Sequence, residues 1–101
     1  MGDEVDPTKV DPDHYQVAFE NEHVRVLNVS YGPGEEGVMH FHPQQVAVFL
    51  TDAYGQFEFP DGTSEEITVK AGDVVALPPT THRPANRGTQ RTRAVVVELK
   101  A

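Results

Sequence analysis

The sequence predicts an all-β domain, a small sandwich or barrel, and three observations carry that expectation. Short β-rich runs recur at spacings of about 8–12 residues. Glycine, proline and aspartate turn signals separate them. No stretch of useful length keeps a helical period.

The runs follow in order. Tyr15 to Phe19 is followed by the turn Glu20-Asn21-Glu22. Val24 to Tyr31, rich in β-branched residues, stops at Gly32-Pro33-Gly34. Val38 to His42 stops at Pro43, and Val46 to Thr51 stops near Asp52 and Gly55. Gln56 to Phe59 ends in Pro60-Asp61-Gly62, a strong turn signal. Glu66 to Lys70 ends at Ala71-Gly72-Asp73, and Val74 to Leu77 at Pro78-Pro79. Thr92 to Leu99 closes the chain. Alternation puts Phe57 and Phe59 on one face and Ile67 and Val69 on another. It groups Val95, Val97 and Leu99, and sends Val96 and Glu98 to the opposite side. Glu58 and Glu98, set between apolar residues, read as exterior.

The chain of 101 residues is one domain. Residues 1–13, acidic and broken by Pro7 and Pro12, read as an extended arm packed on the domain or on a partner subunit. Residues 14–101 form the domain. The formal charge of -8 disfavours nucleic acid and anionic membranes as partners. The absence of cysteine rules out disulfides and thiolate metal sites. No apolar run approaches the roughly 18 residues of a membrane span and no leader pattern opens the chain, so a cytoplasmic protein is expected.

His40-Phe41-His42 is the most informative tripeptide. On a strand, residues two apart share a face, so both imidazoles point the same way. Two buried imidazoles are costly unless satisfied, and one metal ion satisfies both.

The surrounding residues carry a family resemblance. From Gly34 the chain reads Gly-Glu-Glu-Gly-Val-Met-His-Phe-His-Pro-Gln-Gln-Val, with a distal glycine at Gly55. From Gly72 it reads Gly-Asp-Val-Val-Ala-Leu-Pro-Pro-Thr-Thr-His-Arg-Pro-Ala-Asn. These segments resemble the two motifs of the cupin superfamily, over roughly residues 15–100. The resemblance implies a cupin, or jelly-roll, β-barrel (a double-stranded β-helix) with one divalent metal ion on His40, His42 and His82. Fe(II) is favoured, with Zn, Ni or Mn as alternatives. Gly72, Pro78 and Asn86 match structural positions of the second motif, with Asn86 expected to fix a loop by hydrogen bonds. The family's fourth ligand, a glutamate, is replaced by Val46, followed by Ala47; Thr80 and Thr81 replace a motif glycine. Gln44 and Gln45 are the candidates for a fourth ligand. Asp11-Pro12, Phe19-Glu20-Asn21-Glu22, Tyr31-Gly32-Pro33-Gly34 and Val97-Glu98-Leu99-Lys100 are similar to small stand-alone cupins, some of which carry a label in β-alanine degradation.

Three histidines without a carboxylate leave the ion its full charge and open positions, the pattern of a reactive rather than a structural site. The expectation is a three-histidine dioxygenase acting on a small anionic or dicarbonyl molecule. The alternatives are a non-redox isomerase, decarboxylase or lyase, and a non-catalytic binding cup. Arg25 shares parity with Leu27 and Val29 and is a candidate carboxylate anchor. The Arg83–Arg93 cluster is read mainly as solvated surface, with a substrate pocket as the sharper alternative. His14 and His23 read as surface residues, and Tyr15, Tyr31 and Tyr54 as packing residues. A homodimer formed through barrel edges is expected.

Overall fold

The computed structural model describes residues 5–100. After a short helix α1 (Pro7–Val10), the strands are β1 (Tyr15–Glu20), β2 (Val24–Tyr31), β3 (His40–His42), β4 (Gln45–Phe49), β5 (Ala53–Glu58), β6 (Ser64–Val69), β7 (Val74–Leu77), β8 (Thr80–Asn86) and β9 (Thr92–Leu99). They form two antiparallel sheets, ordered β1-β2-β9-β4-β7 and β3-β8-β5-β6. The inner face of the five-stranded sheet supplies the core: Tyr15, Leu27, Val29, Tyr31, Ala47, Ala94 and Val96 pack together. No described helix is long and apolar enough to cross a membrane.

Three expectations change. Strand β8 fills a stretch, Thr80–Asn86, in which the sequence marked no run, and it carries a proline, Pro84, in its interior. A strand residue points its N–H and C=O to the same side. The Pro84 carbonyl accepts from Gly37 N at 2.8 Å, so its missing donor faces the irregular segment before β3 rather than β5.

The parity of β9 is the reverse of the one expected. Ala94, Val96 and Glu98 are buried, while Leu99 is exposed. The run from Ala94 to Val97 is apolar on both faces, so alternation alone does not choose the inner one, and the charge of Glu98 points to the wrong answer.

Within residues 5–13 of the expected extended arm, the chain forms the short helix α1. Asp6 caps α1 by accepting from Thr8 N at 2.9 Å, and Pro7 opens the helix. Pro7 and Asp11 are buried, and Phe41 N donates to Val5 O at 2.7 Å. The segment therefore packs on its own domain, against the strand that carries His40 and His42. Residues 1–4 of the arm lie outside the described residues.

Two motif glycines have separate reasons. Gly72 turns the chain from β6 to β7 with φ 91°, where a side chain is strained. At Gly55 an added Cβ would lie 2.1 Å from the Ala85 carbonyl oxygen, so only glycine lets β5 approach β8 this closely.

Candidate metal centre

His40 and His82 are direct partners across the β3–β8 pair, and His42 follows two residues on. Register and pleat thus bring three imidazoles to one inner face. All three are buried, and their ligand nitrogens lie within 4.8 Å of one another.

Hydrogen bonds fix two of the tautomers. His40 Nδ1 lies 2.7 Å from the Val38 carbonyl oxygen, and His42 Nδ1 lies 2.6 Å from Glu98 Oε2. Both partners only accept, so each Nδ1 carries the proton and donates. Each ring then turns its Nε2 toward the other, and the two Nε2 atoms stand 3.0 Å apart. Two lone pairs at that separation repel unless a cation, a proton or a metal ion, lies between them. Two metal–nitrogen bonds of about 2.1 Å meeting at a right angle would span about this distance. His82 adds an independent observation, since both of its ring nitrogens are buried without a hydrogen-bond partner. Native interiors seldom tolerate such orphans. The donor set fits a divalent ion.

Electrostatics agree. Burial, then the charge of His42, pulls the His40 imidazole from 6.5 down to about 4. Burial, then His40 and His42, brings His82 down to about 2. Both rings are neutral at pH 7, the form that ligates.

Behind His42 lies a relay of charges that the sequence reading missed. Glu98, 3% exposed, accepts from His42 Nδ1 and, at 2.9 Å, from Arg25 Nε. Arg25 also donates to both carboxylate oxygens of Asp6, at 2.9 and 3.1 Å. Burial pushes the Glu98 carboxyl up, but the bonds from His42 and Arg25 outweigh it and hold it below its usual value. Burial likewise raises Asp6, and the Arg25 bonds override it to bring that carboxyl to about 2. A signal was available: Arg25 and Glu98 are opposite charges and register partners on β2 and β9. A carboxylate behind a histidine fixes its tautomer and raises its basicity.

The structure separates the fourth-ligand candidates. Gln44 is exposed. Gln45 is buried beside Glu98 in register, and its Nε2 has no partner. Arg25, the candidate substrate anchor, is spent on Asp6 and Glu98 and does not line the cavity. The other arginines do not line it either. Arg83 pairs with Glu58 and Glu36, Arg87 with Glu36, and Arg91 donates to Ser30 Oγ. Arg93 borders a separate polar groove with Asp13 and His14. His14 is less exposed than expected: it stacks on Tyr31 at 4.0 Å and bonds Asp11 and Glu35. His23 is a surface residue, as expected, with a side chain 78% exposed. Asn86 donates to the carbonyls of Tyr31 and Gln90 and accepts from Gly88 N, tying down the loop after β8.

His42 and His82 open on a cavity of about 120 Å³ between the sheets, with Gln45 beside them at its polar end. Tyr15 lines it, lies edge-on to His40 at 4.6 Å, and shares a 2.8 Å hydroxyl bond with Tyr31. Burial pushes both phenols well above their ordinary value.

Comparison with known proteins agrees with this architecture. The family model described as "Cupin domain" matches residues 27–98. A cupin domain from Bordetella pertussis Tohama I is 28% identical, with a TM-score of 0.79 over 86% of this chain and 92% of its own. A conserved Klebsiella pneumoniae protein with a double-stranded β-helix domain is 24% identical, with a TM-score of 0.67 over 84% and 74% of the two chains. An RmlC-like cupin family protein from Methanocaldococcus jannaschii shares 16% identity, with a TM-score of 0.66 over 84% and 77%. No curated protein matches the chain.

Proposed function

The chain belongs to the cupin domain family, and from that premise we propose that it is a mononuclear metal enzyme, an Fe(II)-dependent dioxygenase acting on a small molecule. The observation that carries this reading is the convergence of His40, His42 and His82, with lone pairs directed at one another and no carboxylate among them.

A bound ferrous ion would supply electrons and open coordination positions for substrate and O2. The protein's part is largely positional. The Val38 carbonyl and Glu98 hold the His40 and His42 rings in the ligating tautomer. The apolar walls exclude water from the reacting atoms. Among the described residues, no carboxylate or lysine lines the cavity. The cavity's imidazoles, His42 and His82, are the commonest kind of general base, but in this reading their lone pairs are taken by the ion. With the phenols pushed up, the lining offers poor general bases, which favours oxygen chemistry over proton shuffling.

The test is metal content after purification without chelator, beside His42→Ala, followed by oxygen uptake with Fe(II) and a panel of thiols and β-diketones. About one iron per chain, lost in His42→Ala, together with oxygen consumption, is expected. Failure to take up any metal on reconstitution would overturn the reading. Turnover with Zn(II) in the absence of oxygen would replace it with the non-redox alternative.

The homodimer and the cytoplasmic setting stay part of this proposal. Edge strand β1 exposes Val17 and Phe19, which suits pairing with a second copy. Light scattering at micromolar concentration should give twice the chain mass; a monomer would refute the dimer.

A further inference from the structure

We propose that the molecule this site acts on has a small, uncharged, apolar body and meets the protein's polar groups only through a single head at the histidines. The inference rests on reading the three histidines as the reaction centre, and it replaces the anionic substrate that the arginines suggested.

The cavity wall carries the argument. Phe49, Phe57, Ile67, Val69, Val75 and Ala94 line it from both sheets, and no charged side chain among the described residues does. On β4 it is Ala47 that faces the cavity, with a methyl group, while Val46, which stands at the family's glutamate position, does not line it.

Away from the centre, every buried polar side-chain atom among the described residues has a hydrogen-bond partner, and the remaining polar lining, Thr92 and Tyr54, is neutral hydroxyl. The Asn86 amide is spent on the loop, and the Tyr31 hydroxyl on Tyr15. The uncommitted buried polar atoms are Gln45 Nε2 and the two His82 ring nitrogens, all at the polar end. A carboxylate or ammonium on the far end of a ligand would lose its water and gain no partner, a cost of several kcal/mol. Size follows from volume. An engineered apolar cavity of about 150 Å³ holds benzene or xenon. At about 120 Å³, the present cavity accommodates a body of comparable or slightly smaller size.

The experiment uses the full chain treated with chelator, so that no metal attracts the probe. Benzene and oxalate, which have the same heavy-atom count, are titrated while the methyl resonances of Ala47, Ile67 and Val96 are followed by NMR; oxalate is charged at both ends, so one carboxylate must face the apolar wall. Benzene should shift them saturably with a Kd below about 1 mM, at least about tenfold tighter than oxalate. Oxalate binding in the cavity as tightly as benzene, or no saturable response to benzene, would overturn the inference. Metal uptake is read separately on untreated protein. Stoichiometric metal without benzene binding sinks only this inference, whereas benzene binding without metal uptake sinks the proposed enzyme and spares the apolar specificity of the cavity.

Discussion

Replacing Glu98 by glutamine should lower metal affinity by about 10–100-fold and destabilise the fold by about 3 kcal/mol, although the two side chains have nearly the same shape. Glu98 accepts on both oxygens, from His42 Nδ1 on one and Arg25 Nε on the other. Glutamine has one acceptor and one NH2. If the NH2 faces His42, that ring must move its proton to Nε2, which removes the lone pair from the centre. If it faces Arg25, two donors oppose each other in a buried place. Arg25 keeps its bonds to Asp6 in either case, so the guanidinium cannot simply swing away. Chelator competition measures the affinity, and urea unfolding of the metal-free protein measures the stability. An affinity within about threefold of the parent would mean that Glu98 plays no part in setting the His42 tautomer.

The second large effect is acid sensitivity of the metal-free protein. His40 and His82 are held neutral by burial, with pKa values of about 4 and about 2 against 6.5. Above about pH 6.5 both rings are neutral in folded and unfolded chains, and their contribution is fully present. As pH falls below that, the unfolded chain binds two protons that the folded chain refuses. Stability then drops at up to about 2.7 kcal/mol per pH unit until His40 titrates near pH 4, and at about half that rate below it. The whole stability of a domain is typically only about 5–15 kcal/mol. Unfolding followed by circular dichroism should therefore centre between about pH 6 and 4. His82→Leu should flatten the slope by about one proton. A midpoint below about pH 3, or an unchanged slope in His82→Leu, would contradict this account. Metal-loaded protein should resist to lower pH, because the ion occupies the lone pairs that protons would take.

Much of the fold was legible because its signals are local. Turn residues at Gly32-Pro33-Gly34, Pro60-Asp61-Gly62 and Gly72 mark real strand ends, and period-2 spacing correctly put His40 and His42 on one face. What stayed hidden depends on partners distant in sequence. Glu98 reads as solvent-facing until Arg25 and His42 are seen to meet it. Strand β8 is marked by no run, and it tolerates Pro84 because the proline's donor-free side faces Gly37, far from it in sequence. Gln44 and Gln45 could not be told apart because the phase of β4 is set by pairing with β7 and β9, not by the residues themselves. The arginines suggested an anion site because like charges cluster in sequence, whereas in space several meet acidic partners.

The strand that carries two of the three imidazoles is three residues long and pairs with a single neighbour, β8, which carries the third. So short an edge strand contributes little pairing energy of its own. An ion shared by His40, His42 and His82 would act there as a clasp, fastening the margin of the smaller sheet to its interior. Occupancy of the site would then be felt not only in the global unfolding of the barrel but also in how often this margin opens, and so in how fast its backbone amides exchange with solvent.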